Sequence, residues 1–176
     1  MGKADLIGIF YKLKIQIKGQ ENIPETGGII LLANKMDRIT ALAVEAALKR
    51  PIYWAVSPLA CQSKLSRLFI KLFWRSFWLN PERPDIKGFH SAFGVLKKSG
   101  VLAFYPAGIN QGIVLFCLRS GCNILPMAVT EELTHPRRIN IAFGPVYNLT
   151  EYREIIVNVK NIEEIIQRLN LSIEQL

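Results

Sequence analysis

A lysine at the end of an apolar run, two residues before a helix-capping aspartate, is the side chain in this chain best placed to do chemistry. Gly28-Ile29-Ile30-Leu31-Leu32-Ala33 reads as a buried strand, and Asn34-Lys35-Met36-Asp37-Arg38-Ile39-Thr40 follows it. Asp37 is placed to cap a helix over about 38–49. Lys35 therefore sits where a strand end meets the positive end of a helix, a setting suited to anion binding. Proton abstraction is the more demanding alternative. Lysine as a residue type has a reference pKa of about 10.4, so base chemistry near neutral pH costs roughly 4–5 kcal/mol. Burial and the helix dipole push toward the neutral amine, whereas a neighbouring carboxylate such as Asp37 pushes back.

Other reactive side chains are few. His90 falls within a predicted helix, and His135 lies in the turn Thr134-His135-Pro136. Both read as surface histidines. Cys61, Cys117 and Cys122 show no metal-like spacing and read as buried thiols. No metal site and no bound cofactor is expected. Nucleophile motifs and glycine-rich phosphate loops are absent.

These residues need a frame, and the chain supplies one. Pro51–Val56, Phe77–Leu79, Val101–Tyr105, Asn123–Val129 and Ile139–Phe143 read as further strands. Helical patterns separate most of them, at 62–76, 84–98 and 111–119, the second stopped by Gly100 and the third by Gly121. Residues 4–16 read as an amphipathic helix running into a strand, and 150–176 as a charged helical tail. Alternating strands and helices define an α/β class: one domain, 1–176, with a mostly parallel central sheet flanked by helices. Ser99 to Leu118 is uncharged over twenty residues, long enough to span a bilayer. Pro106, Gly108 and Gly112 in its middle favour strand, loop and helix instead.

Charge is distributed unevenly. The net charge is +8. Between Glu45 and Glu131 the acids are Glu82 and Asp85, against Lys49, Arg50, Lys64, Arg67, Lys71, Arg75, Arg83, Lys87, Lys97, Lys98 and Arg119. Such a span favours an anionic partner. In the predicted helix 62–76, Lys64, Arg67, Lys71 and Arg75 fall within about a quarter of the circumference. Phe69, Phe73, Trp74, Phe77 and Trp78 crowd beside them. Aromatics next to cations suit a lipid headgroup region. Clustering on one helix, rather than along a groove, argues against nucleic acid.

The order and spacing of four loops resemble the glycerolipid acyltransferases, the lysophosphatidic acid acyltransferase family, over residues 8–147. In that family a strand ends in Asn-His, with an acid five residues after the His. The His takes the acceptor hydroxyl proton and the acid orients it. Here Asn34 is retained, Lys35 stands at the His position and Thr40 at the acid position. A second signature, ending in Asp-Arg, is matched loosely by Asn80-Pro81, with Arg83 nearby as a shifted phosphate ligand. The third resembles Phe-Pro-Glu-Gly-Thr-Arg and reads Tyr105-Pro106-Ala107-Gly108-Ile109-Asn110. The fourth, a strand with Val-Pro, is matched by Leu125-Pro126.

The resemblance implies a protein of phospholipid metabolism with a degenerate active site, peripheral on the cytoplasmic, inner face of a membrane. It would bind a lipid, an acyl chain or a partner acyltransferase. Lys35, Arg83, Pro106 and Gly108 are its substrate or anion candidates. Lys64, Arg67, Phe69, Lys71, Phe73, Trp74, Arg75 and Trp78 are its membrane-surface candidates. Two alternatives stay open: an active enzyme using acyl-CoA or acyl carrier protein, and a non-lipid interaction protein on the same scaffold.

Overall fold

Ile29–Ala33 is buried at every position because both faces of this strand are covered. Its odd residues, Ile29, Leu31 and Ala33, join one apolar cluster, and Ile30 and Leu32 join another. That two-sided burial organises the molecule. The computed structural model describes residues 13–60, 68, 70, 75–79, 85–105, 108–132, 137–149, 152 and 159–176. Its elements run β1 (Leu13–Lys18), β2 (Ile29–Ala33), α1 (Arg38–Ala47), β3 (Ile52–Val56), β4 (Arg75–Trp78), α2 (Ile86–Lys97), β5 (Val101–Tyr105), α3 (Gln111–Ser120), β6 (Asn123–Glu132), β7 (Arg137–Phe143) and α4 (Val159–Glu174). Short 3-10 turns occupy Gln20–Asn22 and Pro58–Ala60.

The strands form one seven-stranded sheet in the order β1-β7-β6-β2-β5-β3-β4. The five strands from β6 to β4 are mutually parallel. β7 returns antiparallel to β6, and β1 lies parallel to β7. The chain is thus a single α/β domain with a mostly parallel sheet flanked by helices. α1 packs through Ala41, Ala43 and Val44 onto one face of the sheet, joined there by Ile70. α2, α3 and α4 cover the other face through Ala92, Leu96, Ile113, Phe116, Ile165 and Leu169. Trp54, fully buried on β3, donates its indole N–H to Glu45 Oε1 at 2.7 Å, so this large ring enters the core with its polar atom satisfied.

Most expected elements appear, with corrections at their ends. Arg75 lies on strand β4, paired with Tyr53 of β3, and not on the preceding helix. It therefore leaves the basic stripe: sheet pairing overrides helical periodicity there. α1 stops at Ala47, where Leu48 turns extended, two residues short of the expected end. α2 ends in a Schellman motif whose left-handed residue is Ser99 (φ 58°) rather than Gly100. Gly100 instead donates its N–H to the Val95 carbonyl at 2.9 Å, and Ser99 donates to Leu96 at 3.0 Å. Gly121 does take the left-handed position after α3 (φ 61°). The uncharged stretch 99–118 divides into β5, a loop and α3. Among the described residues no helix is long and apolar enough to cross a membrane. The expected N-terminal helix before Leu13 and most of the basic helix lie outside the described residues.

Candidate functional site

Strand order fixes where a ligand crevice opens. β2 is followed by α1 on one face, whereas its neighbour β5 is followed by α3 on the other. The two connections leave the sheet in opposite directions, which parts the chain at the carboxyl ends of these strands. In open α/β sheets this switch point is where ligands bind. Both loops singled out from sequence have described residues here: 34–37 after β2, and 108–110 after β5.

Each side chain in the first loop has a defined engagement. Pairing between β2 and β6 runs from Ile29↔Asn123 to Ala33↔Met127 and then stops. Asn34 continues it with its side chain. Val129 N–H donates to Asn34 Oδ1 at 2.8 Å, and Asn34 Nδ2 donates to the Val129 carbonyl at 3.2 Å. The carboxamide thus stands in for one more residue of strand. Lys35 reaches the same strand further on, its Nζ 2.9 Å from Glu131 Oε1. The lysine side chain is 52% exposed and the carboxylate 9%. Asp37 caps α1, with Oδ1 accepting from Thr40 N–H at 2.7 Å. Thr40 itself is fully buried, and its hydroxyl has no hydrogen-bond partner among the described residues.

The second loop is capped in parallel fashion. Asn110 Oδ1 accepts from Ile113 N–H at 2.9 Å at the start of α3. Gly108 is exposed with φ 147°, a backbone conformation that residues with a Cβ rarely adopt. Pro106, Ala107 and Arg83 lie outside the described residues, as do Lys64, Arg67, Phe69, Lys71, Phe73 and Trp74. Arg75 and Trp78 are both exposed on β4. His90 is exposed on α2.

These contacts limit the chemistry. The ion pair with Glu131 at 2.9 Å engages the Lys35 amine, which works against proton abstraction. It also offsets the charge an anion would seek. The Asp37 cap occupies a helix N–H and adds a second negative charge beside the crevice. Glu131 is the residue that sequence reasoning missed. A signal for it exists: Leu125, Met127 and Val129 alternate into one face, and Glu131 continues that series. Among the described residues, no group of His, Cys, Asp and Glu is arranged to hold a metal ion. A cavity of about 570 Å³ lies among Gln20, Ile23, Pro24, Ala47 and Arg50, against the amino-terminal side of the strands. It is remote from the switch point in the topology. There Arg50 donates to the carbonyls of Pro24, Gly27 and Ser99, so its guanidinium clasps two loops together. Burial lowers the pKa of that guanidinium.

The fold defines a class: a single α/β domain with a seven-stranded, mostly parallel sheet and a crevice at its switch point. The chain is similar to the crystal structure of the 1-acyl-sn-glycerophosphate (LPA) acyltransferase PlsC from Thermotoga maritima. The TM-score is 0.61 with 11% sequence identity, over 96% of this chain and 76% of that one. At that identity the likeness is one of fold. No protein-family pattern and no curated protein matches the chain by sequence.

Proposed function

We propose that this chain is an acyltransferase-fold protein of phospholipid metabolism, peripheral on the inner face of a membrane. It binds a lipid, an acyl chain or a partner enzyme without running the His/acid reaction. One observation carries this reading. At the strand end where the resemblance puts the catalytic His, Lys35 is ion-paired to Glu131. The acid position, Thr40, is sealed in the core. A neutral base oriented by a carboxylate on its own helix is replaced by a charged amine tied to another strand.

A second reading gives the same contact a positioning role. Glu131 could take the orienting role that the acid on the first helix has in the family. In that case Lys35 would remove the acceptor hydroxyl proton. The oxygen would then attack the thioester carbonyl of acyl-CoA or acyl carrier protein, an ester bond would form, and the C–S bond would break with departure of the thiolate.

An acyl-transfer assay with labelled donors and a panel of lysophospholipids separates the two. It is run on the parent, Lys35→Ala, Glu131→Gln and the double variant Lys35→His/Thr40→Asp. The expected result is no turnover by the parent, with vesicle binding intact. Turnover that disappears in both Lys35→Ala and Glu131→Gln overturns the binding reading and establishes the lysine base.

A further inference from the structure

Four charged side chains, Glu21, Glu25, Lys49 and Arg50, line one cavity, and among the described residues none of them makes an ion pair. This is the cavity of about 570 Å³ at the amino-terminal side of the strands. The acids come from the segment before β2, and the bases from the turn between α1 and β3. Ile23, Pro24 and Ala47 supply apolar lining.

The two segments are tied together at two points. Gln20 Nε2 donates to the Ala47 carbonyl at 3.3 Å, and Arg50 Nη1 donates to the Pro24 carbonyl at 2.7 Å. The 3-10 turn that carries Gln20 and Glu21 is anchored in its turn to β7, where Asn22 Nδ2 donates to the Phe143 carbonyl at 2.9 Å. The fold therefore holds the cavity in shape without a ligand, as most small-molecule sites are held.

The charges around it define what it can take. A guanidinium has five N–H groups. Arg50 uses three, on the carbonyls of Pro24, Gly27 and Ser99. Among the described residues its Nε–H and one Nη1 N–H have no acceptor. Burial pushes its pKa down, and no carboxylate offsets that. A ligand's acid group would meet both needs, with Lys49 exposed beside it as a second cation. Glu21 and Glu25 are exposed carboxylates with the opposite preference. α1 also ends at this cavity, with its carbonyls outward and no basic residue in its last turn. That end attracts an ammonium. An anion alone would meet repulsion from Glu21, Glu25 and the helix carbonyls, and a cation alone would meet it from Lys49 and Arg50.

We propose that this cavity binds a small zwitterion, a molecule carrying a primary ammonium and a carboxylate or phosphate. Arg50 and Lys49 take the acid group. Glu21, Glu25 and the end of α1 take the ammonium. An α-amino acid and phosphoethanolamine share this chemistry. The site lies at the strand ends opposite the β2–β5 crevice, so it stands independently of the proposed function.

The test is isothermal titration calorimetry of the full chain with leucine and with phosphoethanolamine. The controls carry charge of one sign: 3-methylbutylamine and 4-methylpentanoate for leucine, ethanolamine and inorganic phosphate for phosphoethanolamine. At least one zwitterion is expected to bind one to one, and its single-charge halves at least about tenfold more weakly, as for a lost charge-assisted hydrogen bond. Leucine alone assigns the site to amino acids, and phosphoethanolamine alone assigns it to a headgroup. Glu21→Gln/Glu25→Gln and Lys49→Gln alter exposed side chains, so their melting midpoints are expected to match the parent's. Each is expected to weaken the zwitterion by a similar factor. Equal affinity for a zwitterion and one of its halves overturns the proposal, because one charge then suffices. Affinity unchanged in both variants places any binding elsewhere and also overturns it. So does the absence of binding by both zwitterions.

Discussion

Asn34 is the sharpest point at which to perturb the crevice, because its role is purely geometric. Its carboxamide exchanges two hydrogen bonds with the Val129 backbone, at 2.8 and 3.2 Å, where strand pairing has run out. Val129 is buried. Asn34→Ala leaves one N–H and one carbonyl without their partner. Each such group costs about 1–3 kcal/mol when buried. The loop side is exposed and admits water, so the total falls at the lower end, about 2–3 kcal/mol. For a chain of this length, a melting midpoint lower by roughly 4–12 °C follows. Asn34→Asp is the discriminating variant. It keeps the acceptor for Val129 N–H but turns a carboxylate oxygen toward the Val129 carbonyl. At neutral pH its loss should match or exceed that of alanine. The folded state disfavours that charged form, so the introduced carboxyl titrates above the ordinary aspartate value of about 3.9. Its penalty is absent below the unfolded value and grows as pH rises through the folded one. Urea denaturation at pH 4 and pH 7, with the slope compared to confirm two-state behaviour, measures both. A loss under about 0.5 kcal/mol for Asn34→Ala, or parent-like stability of Asn34→Asp at pH 7, would falsify the strand-extension role.

Further outcomes follow from contacts elsewhere. Thr40→Val removes a buried hydroxyl that has no partner among the described residues and should leave stability unchanged or raise it by up to about 1 kcal/mol. Thr40→Asp alone should cost about 3 kcal/mol or more, because it buries an unpaired charge; thermal denaturation ranks the two. Ser99→Gly should stabilise by about 1 kcal/mol, since it relieves a left-handed residue at the Schellman position, and the shift in melting midpoint tests this. Arg50→Lys should lose about 2 kcal/mol in urea denaturation, because an ammonium cannot reach three carbonyls from two loops as the guanidinium fork does. In a Cys61→Ser background, a thiol-reactive disulfide should label half-buried Cys122 first, faster at higher pH. Burial raises the Cys117 thiol far out of its usual range, so that residue should react only as the fold opens, and mass spectrometry of the labelled chain resolves the order.

The amino-acid sequence by itself determined the elements and most of their limits. Runs such as Ile29–Ala33 and Val101–Tyr105 are apolar throughout because the strands are covered on both faces. Asp37 caps α1 and Gly121 stops α3, both through interactions within a turn of the chain. Local physics of this kind is written in neighbouring residues. The β4 boundary failed for the same reason in reverse. Arg75 continued a helical spacing, but pairing with Tyr53, far away in sequence, decided its conformation. The crevice was legible only as two suspicious loops. Its location required the sheet order, since β2 and β5 are neighbours in space while β3 and β4 come between them along the chain. The partner of Lys35 could not be read from residues 34–40, because Glu131 arrives from a strand nearly a hundred residues later. Residue types and periodicity specify what each segment can become. The pairing of distant strands decides which charges meet, and with them the chemistry of the site.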